Sequence, residues 1–385
     1  MNTDTIVPLK GPDRVRRRPA VLFGSEDAQG ALRMVQMLLD IFITEAVLGY
    51  SRGIDVTLHP DHAITVHSHD RGFRMDETVV DGQPVWQQDF CALFCGPQQP
   101  DADYYTSLGH QHHRLYADGV PETAHIPAGD HVFDLCCVQY ASRCLQVEAV
   151  QGGLCKRASF ERGYSVSPLS KEPTTVSDGT LIRFLPDAEV FSDIVLPGDA
   201  LGDFLRDAAI AVPGLRCTLK DERNGTDTVY DYPDGAADYV RAIAAPTAVF
   251  STVLYAKGRD RYNCDEYDAE IKALIAIVPH GGFTLCLHNH RRLPNGGTHL
   301  DALRDQIQKH VDWVYGARVA GGLPKRLVLI VESTCAPHAT RYADAGHTAI
   351  TNRMITGMAA DLIDRDFTTF LKQNEAAVTA VLRKN

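Results

Sequence analysis

Between Gly30 and Gly49 runs a stretch that is apolar almost all round: Leu32, Val35, Met37, Leu38, Leu39, Ile41, Phe42, Ile43, Ala46 and Val47. A surface helix shows an apolar stripe backed by a polar face, and this segment has no such face. It therefore predicts a buried helix of about five turns, ended by Gly49. A fold that encloses it needs structure on several sides, and 385 residues supply enough chain for two domains. Apolar residues make up 44% and charged residues 23%, the balance of a packed protein rather than a disordered one. No run reaches the roughly 18 apolar residues that cross a bilayer, so no membrane span is expected. Met1–Lys10 lacks the basic start and apolar core of a signal peptide. The ten cysteines accordingly read as free thiols of a cytoplasmic protein. Lys plus Arg number 38 against 49 Asp plus Glu, a net charge of −11 that opposes a grip on nucleic acid. The basic cluster Arg14–Arg18 is too short to reverse that balance.

Strand and helix signals alternate along the chain. Gly53–His59 and Ala63–His67 alternate as two strands around a Pro-Asp turn, and Leu145–Val150 and Thr180–Leu185 read the same way. Gly198–Ile210 reads as a helix. From Gln83 to Pro127 the pattern dissolves into Gly, Pro, Asp, His and aromatic residues, which predicts a long loop or lid. The polar stretch Asn224–Gly235 is the expected domain boundary. Strands are expected near Ala248–Ala256, Glu270–Val278, Thr284–His288 and Leu327–Glu332. A helix opens at Thr298, where Thr-His-Leu-Asp forms a capping signature with Asp301, and a helical region closes the chain.

Read in order, several segments resemble the ATPase region of DNA gyrase and topoisomerase IV B subunits, within the GHKL superfamily. They are Thr5-Ile-Val-Pro-Leu-Lys-Gly-Pro-Asp-Arg-Val-Arg-Arg-Arg-Pro19, Ile43-Thr-Glu-Ala-Val-Leu-Gly-Tyr50 and Ile54-Asp-Val-Thr-Leu-His59. Ser177-Asp-Gly-Thr-Leu-Ile-Arg-Phe184, Leu219-Lys-Asp-Glu-Arg223 and Gly296-Gly-Thr-His-Leu300 follow at family spacing. The resemblance implies an α/β protein: a Bergerat-type domain over 1–225 with an N-terminal arm and a lid insert over 83–127, then a transducer-like domain over 236–385. It leaves no room for the family's DNA-cleavage domains. It also implies a homodimer formed through the arm.

The same resemblance marks where the family's ATPase chemistry is missing. A general-base Glu and, four residues on, a magnesium-holding Asn are replaced by Met37 and Ile41. A thioether cannot activate water, and an alkyl chain cannot ligate a hard cation. In the family's Asp-Asn-Gly-Arg-Gly-Ile-Pro the Asp receives the adenine amino group. Here Ser68-His-Asp-Arg-Gly-Phe-Arg74 keeps Arg71 and Gly72 but places Ser68 at the Asp position and Phe73 at the Ile position. The phosphate-wrapping glycine loop corresponds to Gly129-Asp-His-Val-Phe-Asp134, which loses two glycines and adds Asp130 and Asp134. The transducer's phosphate lysine would fall near Arg341–Asp344, where no Lys stands.

These replacements run in one direction, toward an apolar cleft that repels an anion. The expectation is a protein that neither binds nor hydrolyses ATP, needs no cofactor, and takes an apolar small molecule instead. Its cleft would be lined by Met37, Ile41, Ser68, Arg71, Phe73 and Thr180, with Asp40, His69 and His131 as the polar groups able to take part in catalysis. Cofactor-free cyclisation or isomerisation, a [4+2] closure included, is the chemistry such a site supports, because it asks mainly for orientation. The alternatives are a catalytically dead module that pairs with gyrase or with itself, and a decoy for a gyrase-directed antibiotic. His110-Gln-His-His113 near Cys91 and Cys95 lacks the paired spacing of a zinc site, so no metal is expected.

Overall fold

The computed structural model describes residues 9, 11–47, 49–76, 84–93, 135–244, 250–262, 265–317, 321–335, 339–343, 348–363 and 365–383. Contacts between residues divide the chain into two compact units. The first runs to Arg206 and includes Leu215–Asp231; the second combines Asp207–Gly214 with the chain from Tyr232 onward.

In the first unit, short helices α1 (Asp13–Arg16) and α2 (Pro19–Phe23) precede the long α3 (Ala28–Val47). Met34, Val35, Leu38, Leu39 and Phe42 of α3 are fully buried, as its all-round apolar sequence requires. Strands β1 (Gly53–Leu58) and β2 (Ile64–Ser68) form the expected antiparallel hairpin. Helices α4 (Val85–Cys91) and α5 (Leu135–Tyr140) lead into β3 (Ser142–Gln151), β4 (Leu154–Glu161), β5 (Tyr164–Ser165), β6 (Ser170–Pro173) and β7 (Gly179–Pro186). Helix α6 (Gly198–Ala211) then crosses to β8 (Arg216–Asp221), which hairpins into β9 (Thr226–Asp231). The nine strands form one sheet in the order β5-β4-β3-β7-β2-β1-β8-β9, with β6 on β4. All its pairs are antiparallel except β1–β8. Burial alternates along β1, β2 and β7, so each strand offers one buried and one partly exposed face.

Two expectations need correction here. The start of the segment read as a lid is α4, whose Phe90 is fully buried and stacks on Phe160 at 5.2 Å. Trp86 and Phe90 stand at i,i+4 on one helical face, and Trp86 packs on the same ring. The remainder of 83–127 lies outside the described residues. Within the polar stretch Asn224–Gly235, residues 226–231 are the edge strand β9. An edge strand exposed on both faces carries no apolar alternation to betray it.

In the second unit, α7 (Ala236–Ala244) is followed by the long hairpin β10 (Phe250–Tyr262) and β11 (Asp265–Ile277). Next come β12 (Thr284–His288), β13 (Arg291–Arg292), β14 (Gly296–Gly297), α8 (Thr298–Tyr315), β15 (Leu327–Cys335), β16 (Ala349–Ile350) and helices α9 (Arg353–Leu362), α10 (Arg365–Gln373) and α11 (Glu375–Arg383). The main sheet has the order β10-β11-β15-β12-β13, and β12 pairs parallel with β15 through the α8 crossover. Ile271, Ile275, Leu303, Ile307, Val331 and Phe367 are fully buried in its core. The expected cap at Thr298 is not made: no side chain caps α8, and the Thr298 hydroxyl bonds that of Thr356 at 2.6 Å. Asn352 is the residue that caps a helix here, accepting from the Ile355 N–H at 3.2 Å.

Candidate functional site

The site is built where the chain leaves β2. Ser68, the last residue of that strand, is fully buried and lies opposite Ile54 on β1 and Thr180 on β7. Its hydroxyl stands 3.4 Å from that of Ser51. Two residues on, the alternation carries Asp70 to the same buried side. One carboxylate oxygen of Asp70 accepts from the Thr180 hydroxyl at 2.9 Å and from the Gly72 N–H at 2.8 Å. The other, Oδ2, is buried with no hydrogen-bond partner among the described residues. Burial pushes this carboxyl above the usual carboxylate range, against the lowering by its hydrogen bonds to Gly72, Thr180 and Ser68. A buried carboxyl thus stands two residues beyond Ser68. Sequence reasoning missed it by comparing positions one for one; the two-residue period of a strand was the signal that could have found it.

Gly72 makes the turn that follows. Its φ is +72°, and a Cβ would sit 2.0 Å from the Val150 carbonyl oxygen, so only glycine fits. Arg71 is committed: its guanidinium bonds Glu45 of α3 at 3.0–3.2 Å and lies 3.5 Å over the Tyr50 ring. Burial raises the Glu45 carboxyl, and Arg71 opposes that rise. Phe73 stacks on Phe42 of α3 with ring centroids 5.7 Å apart. These contacts fix the segment after β2 against the helix that carries Met37 and Ile41. Helical spacing places Met37, Ile41 and Glu45 along one side of α3. Met37 is buried and Ile41 half-buried. Asp40, also half-buried, accepts at its backbone carbonyl from the Thr44 hydroxyl at 2.7 Å.

His69 does not join this group. Its Nε2 lies 2.7 Å from Asp55 Oδ2, and its ring packs on His67 at 4.4 Å. Asp55 and His67 are cross-strand partners on the face of the hairpin opposite to Ile54 and Ser68. Residues 67 and 69 share a face because a strand repeats every two residues, so the expectation that His69 faces the cleft is overturned. His131, Asp130 and Asp134 lie outside the described residues, as do residues 1–8 at the N-terminus and the His110–His113 cluster. The eight described cysteines are all free thiols. Cys136 and Cys137 are buried in α5 as small hydrophobes. No helix among the described residues is long and apolar enough to cross a membrane.

Known proteins similar to this chain point to one fold. The DNA gyrase B subunit of Thermotoga maritima is 27% identical over 311 residues, covering 80% of this chain and 46% of its own length. The DNA topoisomerase 4 B subunit of Streptococcus pneumoniae is 26% identical over 403 aligned positions, covering 100% of this chain and 57% of its own length. The chain spans about half the length of these curated relatives. Among solved structures, the 43K ATPase domain of Thermus thermophilus gyrase B in complex with an aminocoumarin superposes with a TM-score of 0.70 at 21% identity. That match covers 97% of this chain and 93% of the other. The topoisomerase IV ATP-binding domain of Francisella tularensis, in complex with a small-molecule inhibitor, gives 0.66 at 18% identity over 97% and 95%. No protein-family model matches. The chain is gyrase-B-like in sequence, and its fold is that of the gyrase B ATPase domains.

Proposed function

We propose that this gyrase-B-like chain does not hydrolyse ATP and that its former nucleotide cleft receives a neutral, largely apolar small molecule. The observation that carries the reading is the composition of one site: a buried carboxyl with a free oxygen, Asp70, on the segment that Phe73 anchors to the helix carrying Met37 and Ile41. ATP hydrolysis needs a base and an oxygen ligand for magnesium, and neither side chain at positions 37 and 41 serves. An apolar wall with one or two placed polar groups is instead the make-up of a small-molecule pocket. The raised pKa of Asp70 favours its protonated form, which donates a hydrogen bond rather than repelling a neutral ligand.

The chemistry that fits is a cofactor-free closure or isomerisation within one substrate, of which a [4+2] cycloaddition is an example. Such a step rearranges electrons inside the ligand and needs no co-reactant. Orientation supplies up to about 7–11 kcal/mol in the best intramolecular cases, and the Asp70 carboxyl supplies one hydrogen bond to a developing dipole. The test is an ATPase assay on the purified chain with magnesium, paired with a thermal-shift screen of neutral polyenes and polycycles. No turnover, with a stabilising polyene whose effect is lost in Asp70→Ala, supports the reading. Saturable ATP turnover, or no response to any neutral ligand, overturns it.

The free Asp70 oxygen favours one further reading. A buried acceptor beside Thr180 also suits an amino-bearing heterocycle, which would make the chain a binder of nucleotide bases or of an aminocoumarin without hydrolysis. Stabilisation by an aminocoumarin or by ATP without magnesium, abolished in Asp70→Leu, would favour it over the first.

A further inference from the structure

On the other face of the same hairpin stands a second cluster with a different composition. Asp55, His67 and His69 each offer one ligand atom, and all three atoms lie within 4.8 Å of one another. The strands impose this. His67 and His69 are two residues apart on one chain, and Asp55 is paired directly with His67 in the antiparallel register. The parallel neighbour of Asp55 on β8 is Thr218, whose hydroxyl donates to Asp55 Oδ1 at 2.5 Å. That bond leaves Asp55 Oδ2 directed to the histidines. Gly53 makes room for the arrangement, since a Cβ there would lie 2.8 Å from His69 Cδ2.

We propose that Asp55, His67 and His69 form a binding site for a divalent transition-metal ion, zinc being the natural occupant. Two imidazoles and one carboxylate are a common donor set for zinc, which leaves a fourth position to water. Four-coordinate zinc with bonds of about 2.0–2.1 Å keeps its ligand atoms about 3.3 Å apart. Donors already within 4.8 Å reach that spacing by side-chain rotation on a rigid three-stranded support. The Thr218 hydroxyl holds the carboxylate as outer hydrogen bonds hold metal ligands elsewhere. Imidazole selects zinc, nickel and copper over magnesium and calcium, so the site is distinct in chemistry from a nucleotide–magnesium centre. It is also distinct in place, on the face away from Ser68 and Asp70.

The test uses the full chain, free of any histidine tag and stripped with EDTA. Zinc is titrated against a chromophoric chelator, and cobalt(II) is used as a spectroscopic probe. The expected result is one tight equivalent of zinc, unaffected by excess magnesium. His67→Ala, His69→Ala and Asp55→Asn each weaken it at least about tenfold, with unchanged circular dichroism. Cobalt should give the visible bands of a tetrahedral nitrogen–oxygen site without thiolate charge transfer. The proposal fails if the His67→Ala/His69→Ala double variant binds zinc with the stoichiometry and affinity of the parent. It fails equally if the parent takes up no zinc, or if cobalt shows thiolate ligation, which would place the metal on cysteines. Asp55→Asn keeps the test sound should the double variant not fold, because it preserves shape and removes only the charge.

Discussion

The two faces of the β1–β2 hairpin carry opposite solutions to the same problem of placing polar groups on a sheet. The inner face buries a carboxyl, Asp70, and leaves one of its oxygens unpaired among the described residues. The outer face sets Asp55, His67, His69 and Thr218 side by side and partly exposed, with His69 and Thr218 hydrogen-bonded to Asp55 and His67 packed on the His69 ring. The histidines of the outer set and the inner residues Ser68 and Asp70 alternate along one tetrapeptide, His67-Ser68-His69-Asp70. A strand allots neighbours to opposite sides, so a slip of one residue would exchange the two sites. The contrast teaches that the inner face holds an unspent capacity for a ligand, while the outer face holds a preformed set of donors.

The most severe way to break the contrast is to disturb the turn that fixes where the inner segment goes. Gly72→Ala puts a methyl 2.0 Å from the Val150 carbonyl at a φ of +72°, a clash with backbone that no rotamer relieves. The expected loss is about 3–4 kcal/mol of stability, read as a lower urea midpoint. The Asp55–His67 register lies outside this turn, so any zinc uptake should survive in the fraction that folds. A variant as stable as the parent would show that the turn is not held as described.

Next in size is removal of the inner carboxyl. Asp70→Ala leaves the Thr180 hydroxyl and the Gly72 N–H without their buried acceptor, at a cost of about 1–3 kcal/mol. Asp70→Asn sharpens the reading through pH. The folded-state pKa of Asp70 is raised, so the folded protein binds more protons than the unfolded chain above the ordinary value of 3.8. Its contribution is therefore fully present below that value and is lost as pH rises through the folded pKa. The stability of the parent relative to Asp70→Asn should fall from about pH 4 upward; the Asp70 charge also helps to raise Glu45, so the loss of that coupling in the variant adds to the difference in the same direction. A difference that grows with pH would mean that Asp70 is charged and paired.

Much of the frame was legible because it is periodic. The helix Ala28–Val47 and the strands around Val56 and Val66 announce themselves by apolar spacing, whereas helix α8 was expected from a capping signature that the structure does not form. Helix α4 was not, since Trp86 and Phe90 are two aromatic residues among polar ones and only their i,i+4 partnership on Phe160 gives the turn away. Strand β9 was hidden because both its faces are exposed. At the site, position-by-position comparison singled out Ser68, Arg71, Thr180 and the hydrophobic replacements, yet passed over Asp70 and set His69 on the wrong face. Both errors come from reading residue identity before strand alternation.

The smallest expected effect lies on the outer face, and it separates a hydrogen-bonded trio from a metal site. Thr218→Val removes the donor to Asp55 and adds no bulk. On a partly exposed cluster that loss amounts to less than about 1 kcal/mol, so the urea midpoint should barely move. Within the folded protein Thr218 helps hold the Asp55 carboxyl below its usual range, countering the rise that burial alone would give. Without that hydroxyl the carboxylate is free to turn from the histidines, and zinc affinity should fall about tenfold. Stability unchanged with affinity reduced would tie Thr218 to the metal; equal losses in both would make it an ordinary strand contact.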